Sequence, residues 1–401
     1  MRIEHLSLKN FRNYARLELT MPTGTILLHG QNAQGKTSLL EAVYYLATST
    51  SPYATSDKQL INWRTEYDPM PFAQVGAEIV NARQMMNRLE ITLIREDANT
   101  AGERFKKDVR LNGNAKRRAD ILGTVAVVMF LPQDLALIED SPSHRRRYMN
   151  ATLGQVDATY TEALNLFDKV LVQRNALLKQ ISRKQARVEE LDYWDEQLTQ
   201  SAAVLISGRQ KFLREIETEA ARIHNDLTGG KEDLRLSYVP SFEPTAEGDG
   251  QLSFAIPGLD LHRQLNPEQI VPQYRTALHA SRSEEIDRGL TLAGPQRDEL
   301  RFYVNNRDLG LYGSRGQART AVMALKLAEL AWMQQRIGEP PILLLDEVVS
   351  ELDESRRAYL LAQVKNVSQA ILTTTEPGIF TESFLAASTL WRVNAGQIEI
   401  A

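Results

Sequence analysis

The sequence predicts an α/β fold assembled from both ends of the chain, with a helical lobe inserted between them. Three observations carry this. Strand-like and helix-like stretches alternate over residues 1–150 of the 401 and return in 265–401, while 151–264 is dominated by long helical runs. A glycine-rich turn at 30–38 joins a short apolar run to an amphipathic one. An apolar run ending in two acids, "ILLLDE" at 342–347, stands in the other α/β block.

The first block opens on "IEHLSL" and "RLELTM", which alternate as paired strands do, and on "TILLHG", short and apolar like a buried strand. "KTSLLEAVYYLAT" follows the glycine turn, with Leu39, Leu40, Val43 and Leu46 on one helical face. "AQVGAEIV", "LEITLIRE" and "KDVRLNGNAKRR" add strands, and Asn112-Gly113 signals a tight hairpin. "GTVAVVMFLP" is a further buried strand. Ser141 and Pro142 then open a helix as N-cap and first residue. In the middle block Leu164, Phe167, Leu171, Arg174, Leu178 and Ile181 form a heptad seam with one arginine in it. Trp194, Leu198, Ala202, Leu205, Phe212, Ile216 and Ile223 continue at compatible spacing, and Gly229-Gly230 ends the run. Two antiparallel helices of roughly 40–60 Å are expected, a short helical arm. Residues 240–262 are loop-rich, a helix resumes after 265, and "PPILLLDEVVSELD" and "SQAILTTTE" complete the second α/β block.

Composition narrows the function classes. The chain is 43% hydrophobic and 24% charged, with no apolar run near eighteen residues, so no membrane span is expected. The first residues lack the apolar core of a secretion signal. The absence of cysteine excludes disulfides and thiolate metal sites and fits the cytoplasm. Six histidines are scattered without ligand spacing. With a net charge of −4, any nucleic-acid contact must come from local basic patches.

Gly30, Gln31, Asn32, Ala33, Gln34, Gly35, Lys36 and Thr37 match the phosphate-binding pattern GxxxxGK[ST], and Ser38 follows. Glycines let the backbone close around phosphates, and the next helix offers its positive end. Lys36 is expected to reach the β and γ phosphates, and Thr37 to ligate Mg²⁺. Asp346 would hold the ion through water, and Glu347 would orient and deprotonate an attacking water. A bound nucleoside triphosphate, ATP with Mg²⁺, is therefore expected. A carboxylate after the aspartate argues against a GTPase. "GSRGQ" at 313–317 has the form of the ABC-ATPase signature, with Ser314, Gly316 and Gln317 in its key places. "SELD" at 350–353 follows the acids as an ABC D-loop does, and "FLPQDL" at 130–135 sets Gln133 after a strand as a Q-loop does.

From end to end the chain resembles the RecF family of bacterial recombination mediators, relatives of SMC-type ATPases. The matching stretches are "LSLKNFRNY", "GQNAQGKTSLLEA", "FLPQDLALIEDSPSHRRRYM", "GPQRDEL", "GSRGQART" and "PILLLDEVVSELD". The resemblance implies an ABC-type P-loop ATPase head with the short helical lobe inserted. It implies that Arg12 contacts nucleotide and that Gln133 senses the γ-phosphate and its Mg²⁺. Ser314, Gly316 and Gln317 would close on ATP held by a second subunit, with Asp353 at the seam. It further implies an ATP-dependent homodimer that clamps single- or double-stranded DNA at gaps or junctions. Weak, DNA-stimulated hydrolysis would reset the clamp. RecO and RecR would be partners, with RecA loaded downstream. Three positions depart from the family pattern or leave it open: Tyr53 in place of arginine, Gln296 in place of histidine, and Thr375 at the switch position.

Two basic clusters are the DNA candidates: Lys106, Lys107, Arg110, Lys116, Arg117 and Arg118 around the hairpin, and Arg145, Arg146 and Arg147 in a first helical turn. No base-reading motif accompanies them, so the contact should follow the backbone. The ATPase subunit of another ABC-type system, and a structural clamp without turnover, are the alternative readings.

Overall fold

The computed structural model describes residues 1–65, 68, 70–96, 104–242 and 265–400. Most of the loop-rich stretch 240–262, from 243 on, lies outside the described residues. The chain forms two compact units, 1–134 with 329–401, and 135–328.

The first segment of unit one holds strands β1 (Arg2–Phe11), β2 (Tyr14–Thr20) and β3 (Gly24–His29), helix α1 (Lys36–Thr48), and strands β4 (Phe72–Val80), β5 (Met86–Glu96), β6 (Arg104–Leu111), β7 (Asn114–Ala115) and β8 (Val127–Phe130). Unit two holds α2 (Ala136–Glu139), α3 (Pro142–Leu153), α4 (Ala158–Ser182), α5 (Leu191–Thr228), β9 (Leu234–Val239), α6 (Pro267–Arg288), β10 (Glu299–Val304), β11 (Arg307–Asp308) and α7 (Leu309–Tyr312). Helix α8 (Arg315–Ile337) contains the boundary. The chain then completes unit one with β12 (Ile342–Asp346), α9 (Glu354–Val364), β13 (Gln369–Thr374), α10 (Glu382–Ala386), β14 (Ser388–Asn394) and β15 (Gln397–Ile400). Among the described residues no helix is long and apolar enough to cross a membrane.

Unit one has two six-stranded sheets. One is antiparallel, in the order β2-β1-β4-β5-β6-β7. The other runs β15-β14-β3-β13-β12-β8, parallel from β14 to β8 with an antiparallel β15 at its edge. The strands expected from alternation and apolar runs are all present. A single core includes Leu6 and Leu8 of the first sheet, Ile26 and Leu344 of the second, and Leu39, Leu40, Val43 and Leu46 of α1. In parallel sheets loops at the carboxyl ends of the strands form binding crevices. Here those ends carry the glycine loop after β3, Asp346 and Glu347 at the end of β12, Thr375 after β13 and Gln133 after β8. The hairpin at Asn112-Gly113 has both residues at positive φ (53° and 81°), the twist a two-residue connection needs.

In unit two α4 and α5 carry the expected seam. Phe167, Arg174, Leu178 and Ile181 of α4 are buried, as are Leu198, Ala202, Leu205, Phe212, Ile216 and Ile223 of α5. The pair is more than a bare arm, because α6 packs on both helices and a three-stranded sheet, β11-β10-β9, adjoins α5. The seam arginine is the junction. Arg174, fully buried, donates to Asp195 of α5 at 2.6 Å, Glu285 of α6 at 2.7 Å and Thr291 at 2.8 Å. A charge in such a place is tolerable only when each of its donors is matched.

The units divide at 134/135 and 328/329, not at 150 and 265 as expected. Long-range pairing decides this. Arg145 and Arg146 of α3 bond Glu299 and the Asp298 carbonyl, Asn150 accepts from Arg209 of α5, and β10 pairs with β9. Helix α3 and residues 265–328 therefore belong with the lobe.

Candidate nucleotide site

The glycine loop bends where only glycine fits. Gly30 (φ 150°) would push a Cβ to 2.4 Å from the Val393 carbonyl oxygen. Gly35 (φ 119°) would push one to 2.7 Å from Asn13 Nδ2 and 2.9 Å from Tyr14 Oη. The loop is braced from behind. Asn13 donates to the Gln34 carbonyl at 3.0 Å, Tyr14 to the Gly35 carbonyl at 3.0 Å, and the Gly396 amide to the Gln34 carbonyl at 2.9 Å. Gln34 Oε1 also accepts from the Ala395 amide. Helix α1 begins at Lys36 with no side chain capping its first amides. A helix end with free amides and a positive dipole suits an anion.

Lys36 is buried beneath this loop. Its ammonium donates to the carbonyls of Gly30 (2.6 Å) and Gln31 (3.2 Å). It also lies 3.2 Å from Glu347 Oε1, an ion pair whose geometry is not that of a hydrogen bond. Thr37 Oγ1 donates to Asp346 Oδ1 at 3.1 Å, which joins the two halves of the site across the sheet. Thr373 donates to the same oxygen at 2.7 Å and accepts from the Glu347 amide at 2.9 Å. Glu347 itself sits in the left-handed region (φ 55°), a conformation that costs a non-glycine residue about 1–3 kcal/mol and that clusters at functional sites.

Tyr53, the departure from the family pattern, donates its hydroxyl to Asp346 Oδ2. Burial, reinforced by Asp346, raises its pKa well above the ordinary tyrosine value, so it remains the donor. Arg12 (φ 53°) forms a bidentate pair with buried Glu41, at 2.7 and 2.6 Å, and donates to the Gln59 carbonyl.

These groups open on one cavity of about 810 Å³, within the size range of small-molecule sites. Arg12, Asn32, Ala33, Gln34, Gly35, Lys36, Thr37, Ser38, Tyr53 and Glu347 line it. So do Lys58, Trp63, Pro71, Arg95 and Phe105, none of which the sequence motifs had marked. Gln133 is exposed, in the turn after β8, and Thr375 is exposed after β13. Asp353 caps α9, accepting from the Arg356 amide at 2.9 Å. That bond, before the nearby guanidinium, holds its pKa below the usual carboxylate value.

The signature-like loop belongs to unit two. Ser314 Oγ accepts from the Gln317 amide at 3.2 Å and Gln317 Oε1 from the Ser314 amide at 3.0 Å, a reciprocal cap on α8. Gln317 Nε2 reaches Glu232 at 2.7 Å. Gly316 is exposed at a negative φ, and the nearest atom an added Cβ would meet is 3.9 Å away. In "GPQRDEL" Gly294 is required, because a Cβ there would stand 2.2 Å from Tyr274 Oη. Gln296 donates to the Ala293 carbonyl, and Asp298 is buried against Arg209 and Tyr238.

The basic clusters differ in exposure, and one expected DNA contact is buried. Arg145 is buried, paired with Glu299 at 2.5 Å and donating to the Leu137 and Asp140 carbonyls, so it is a structural cation and no DNA contact. Arg146 is half-buried on the Asp298 carbonyl, and only Arg147 of the three is exposed. On β6, alternation sends Lys107 to the face of buried Val109. There it bonds the Ser49 carbonyl (2.9 Å) and Asp57 (3.1 Å) and lies over the Tyr45 ring. Lys107 is nevertheless exposed, so it remains a candidate whose ammonium is already engaged within its own chain. Arg118 is half-buried, and desolvation lowers its pKa. Lys106, Arg110, Lys116 and Arg117 are exposed, with Arg110 on Asp108 and Arg117 on Asp120.

Residues 2–398 match the model of the RecF/RecN/SMC N-terminal domain family. A DNA replication and repair protein RecF of Chloroflexus aggregans is 40% identical over 408 residues, covering 99% of both chains. One of Halalkalibacterium halodurans is 36% identical over 400 residues, covering 100% of this chain and 99% of the other. Among solved structures, that of the recombination mediator protein RecF with ATP in the RecFOR pathway superposes with a TM-score of 0.83. The two are 26% identical, and the match covers 100% of this chain and 97% of that one.

Proposed function

The chain belongs to the RecF family, and on that premise we propose that it is an ATP-dependent DNA-binding protein of replication and recombinational repair. The observation that carries the reading is the Thr37–Asp346 hydrogen bond beneath the glycine loop, which unites the phosphate-binding and acidic motifs in one cavity.

The residues present fit a nucleoside triphosphate with Mg²⁺. The loop amides and the opening of α1 bind the phosphates. Lys36 exchanges two backbone carbonyls and Glu347 for phosphate oxygens. Thr37 and Asp346 would hold Mg²⁺, which when bound neutralises phosphate charge, and Gln133 would approach the same ion. Glu347 orients a water and accepts its proton at the carboxylate, giving ADP and phosphate. Arg12 lines the cavity but is committed to Glu41, so it acts on the nucleotide from that anchored position.

Ser314, Gly316 and Gln317 act on ATP held by a second copy. Gly316 supports this. Its own chain makes no demand for glycine there, since an added Cβ would meet nothing closer than 3.9 Å. A phosphate approaching this helix start would meet backbone and no side chain. ATP thereby drives dimerisation, Asp353 lies at the seam, and weak DNA-stimulated hydrolysis reopens the dimer. Lys106, Lys107, Arg110, Lys116, Arg117 and Arg147 supply backbone contacts to single- and double-stranded DNA at gaps or junctions. RecO and RecR are the proposed partners, because the similar solved structure is described within the RecFOR pathway; RecA loading follows, in the cytoplasm.

The test is DNA affinity of the full chain with and without ATP, for the wild type and Lys36→Ala. ATP should tighten DNA binding in the first and not the second. Equal ATP stimulation of both would overturn the reading.

A further inference from the structure

The cavity has more lining than the phosphate loop, including apolar and aromatic side chains as well as the cations Lys58 and Arg95. Trp63, 71% exposed, lines it together with Ile61, Pro71 and Phe105. A tryptophan left so open in a loop is unusual, since its ring is the largest apolar side chain to withhold from a core.

The loop beneath it is firmly held. The Asn62 amide donates to the Asn10 carbonyl at 2.8 Å, and the Arg12 amide to the Leu60 carbonyl at 2.8 Å. Asn62, 2% exposed, accepts from the Arg64 amide at Oδ1 and from Thr65 at its carbonyl, which fixes the turn Trp63–Thr65. The turn is thus stitched to the end of β1, whose next residues, Asn13 and Tyr14, brace the glycine loop. The Arg64 guanidinium lies 5.5 Å from the centroid of the Trp63 ring. The platform and the phosphate cradle are therefore tied to the same short stretch of chain.

A ligand with a polyanionic end and a flat aromatic end matches a cavity lined by both the phosphate loop and an open indole ring. We propose that Trp63 is the stacking platform for the nucleobase of the bound nucleoside triphosphate. The proposal rests on the nucleotide-binding reading above and assigns the residue that holds the base. Every base has a π-face, so Trp63 adds affinity for a base as such and leaves the choice between bases to other groups.

The experiment measures equilibrium binding of ATP and of inorganic tripolyphosphate to the full-length wild type, Trp63→Ala, Trp63→Phe and Lys36→Ala. Trp63→Ala should weaken ATP about tenfold, the lower part of the range for losing one base–aromatic stack, and leave tripolyphosphate unchanged. Trp63→Phe should recover most of the ATP affinity. Unchanged ATP affinity in Trp63→Ala, or an equal loss for tripolyphosphate, would overturn the assignment. Lys36→Ala should weaken both ligands. If it weakens neither, the nucleotide-site reading itself falls, whatever the Trp63 variants do.

Discussion

Lys36 Nζ and Glu347 Oε1 stand 3.2 Å apart, so the cation assigned to phosphate and the carboxylate assigned to water neutralise each other. ATP must separate them. Glu347→Gln removes that competing attraction together with the proton acceptor. The variant should bind ATP at least as tightly as the wild type while phosphate release falls at least a hundredfold. Near-normal release would remove Glu347 from its role.

Tyr53 and Asp346 make a comparable pair. The phenol donates to an oxygen that Mg²⁺ would otherwise recruit. Tyr53→Phe should leave the fold intact and lower the Mg²⁺ concentration needed for half-maximal ATP binding. A higher requirement would mean that the hydroxyl helps to orient the carboxylate.

Ser314→Arg should bind ATP normally and fail to dimerise with it, because its effect falls on the other copy's nucleotide. Sedimentation with and without ATP reads this. An ATP-induced dimer at wild-type concentration would place the loop's role within its own chain.

The corrected basic clusters separate two kinds of cation. Lys106→Ala and Lys116→Ala should each lower the slope of log affinity against log salt by up to about 0.9, the effect of one lost phosphate contact on duplex DNA. Arg145→Ala instead leaves Glu299 without its partner and should destabilise the protein by about 3 kcal/mol, the low end for breaking a buried ion pair. Denaturant titration distinguishes this from a DNA effect.

His29 closes β3 just before the glycine loop. Burial, then Arg392 and Lys36, lower its pKa below the ordinary histidine value. The folded state therefore favours the neutral ring. That contribution is complete above about pH 6.5 and is lost as the pH falls through the lowered folded value. In His29→Gln the stability difference between pH 8 and pH 5.5 should shrink; an unchanged difference would assign the acid sensitivity to other groups.

Legibility in the sequence followed the range of the interaction. The cradle at 30–37 is a local motif, and its conformation is set by its own glycines. The strands were readable from alternation, and the seam around Arg174 from heptad spacing. What Arg174 bonds was not readable, since Glu285 is 111 residues away. The same limit hid the burial of Arg145, whose partner is 154 residues distant. The contacts of Lys107 with Ser49 and Asp57 were hidden in the same way. Trp63 carried no motif at all, and only the cavity around it marks its position.

The placement of β3 bears on how the protein is made. Its neighbours in the sheet are β13 and β14, and the nearer one begins at Gln369. From His29 to Gln369 is 369 − 29 = 340 residues, so on a ribosome adding about 5–20 residues per second the phosphate-loop strand waits roughly 17–70 s for its first partner. The braces from Ala395 and Gly396 arrive last of all. A nascent chain therefore carries every residue of its cradle long before it can close around a nucleotide, and a chain cut short near its C-terminus should stay unable to do so.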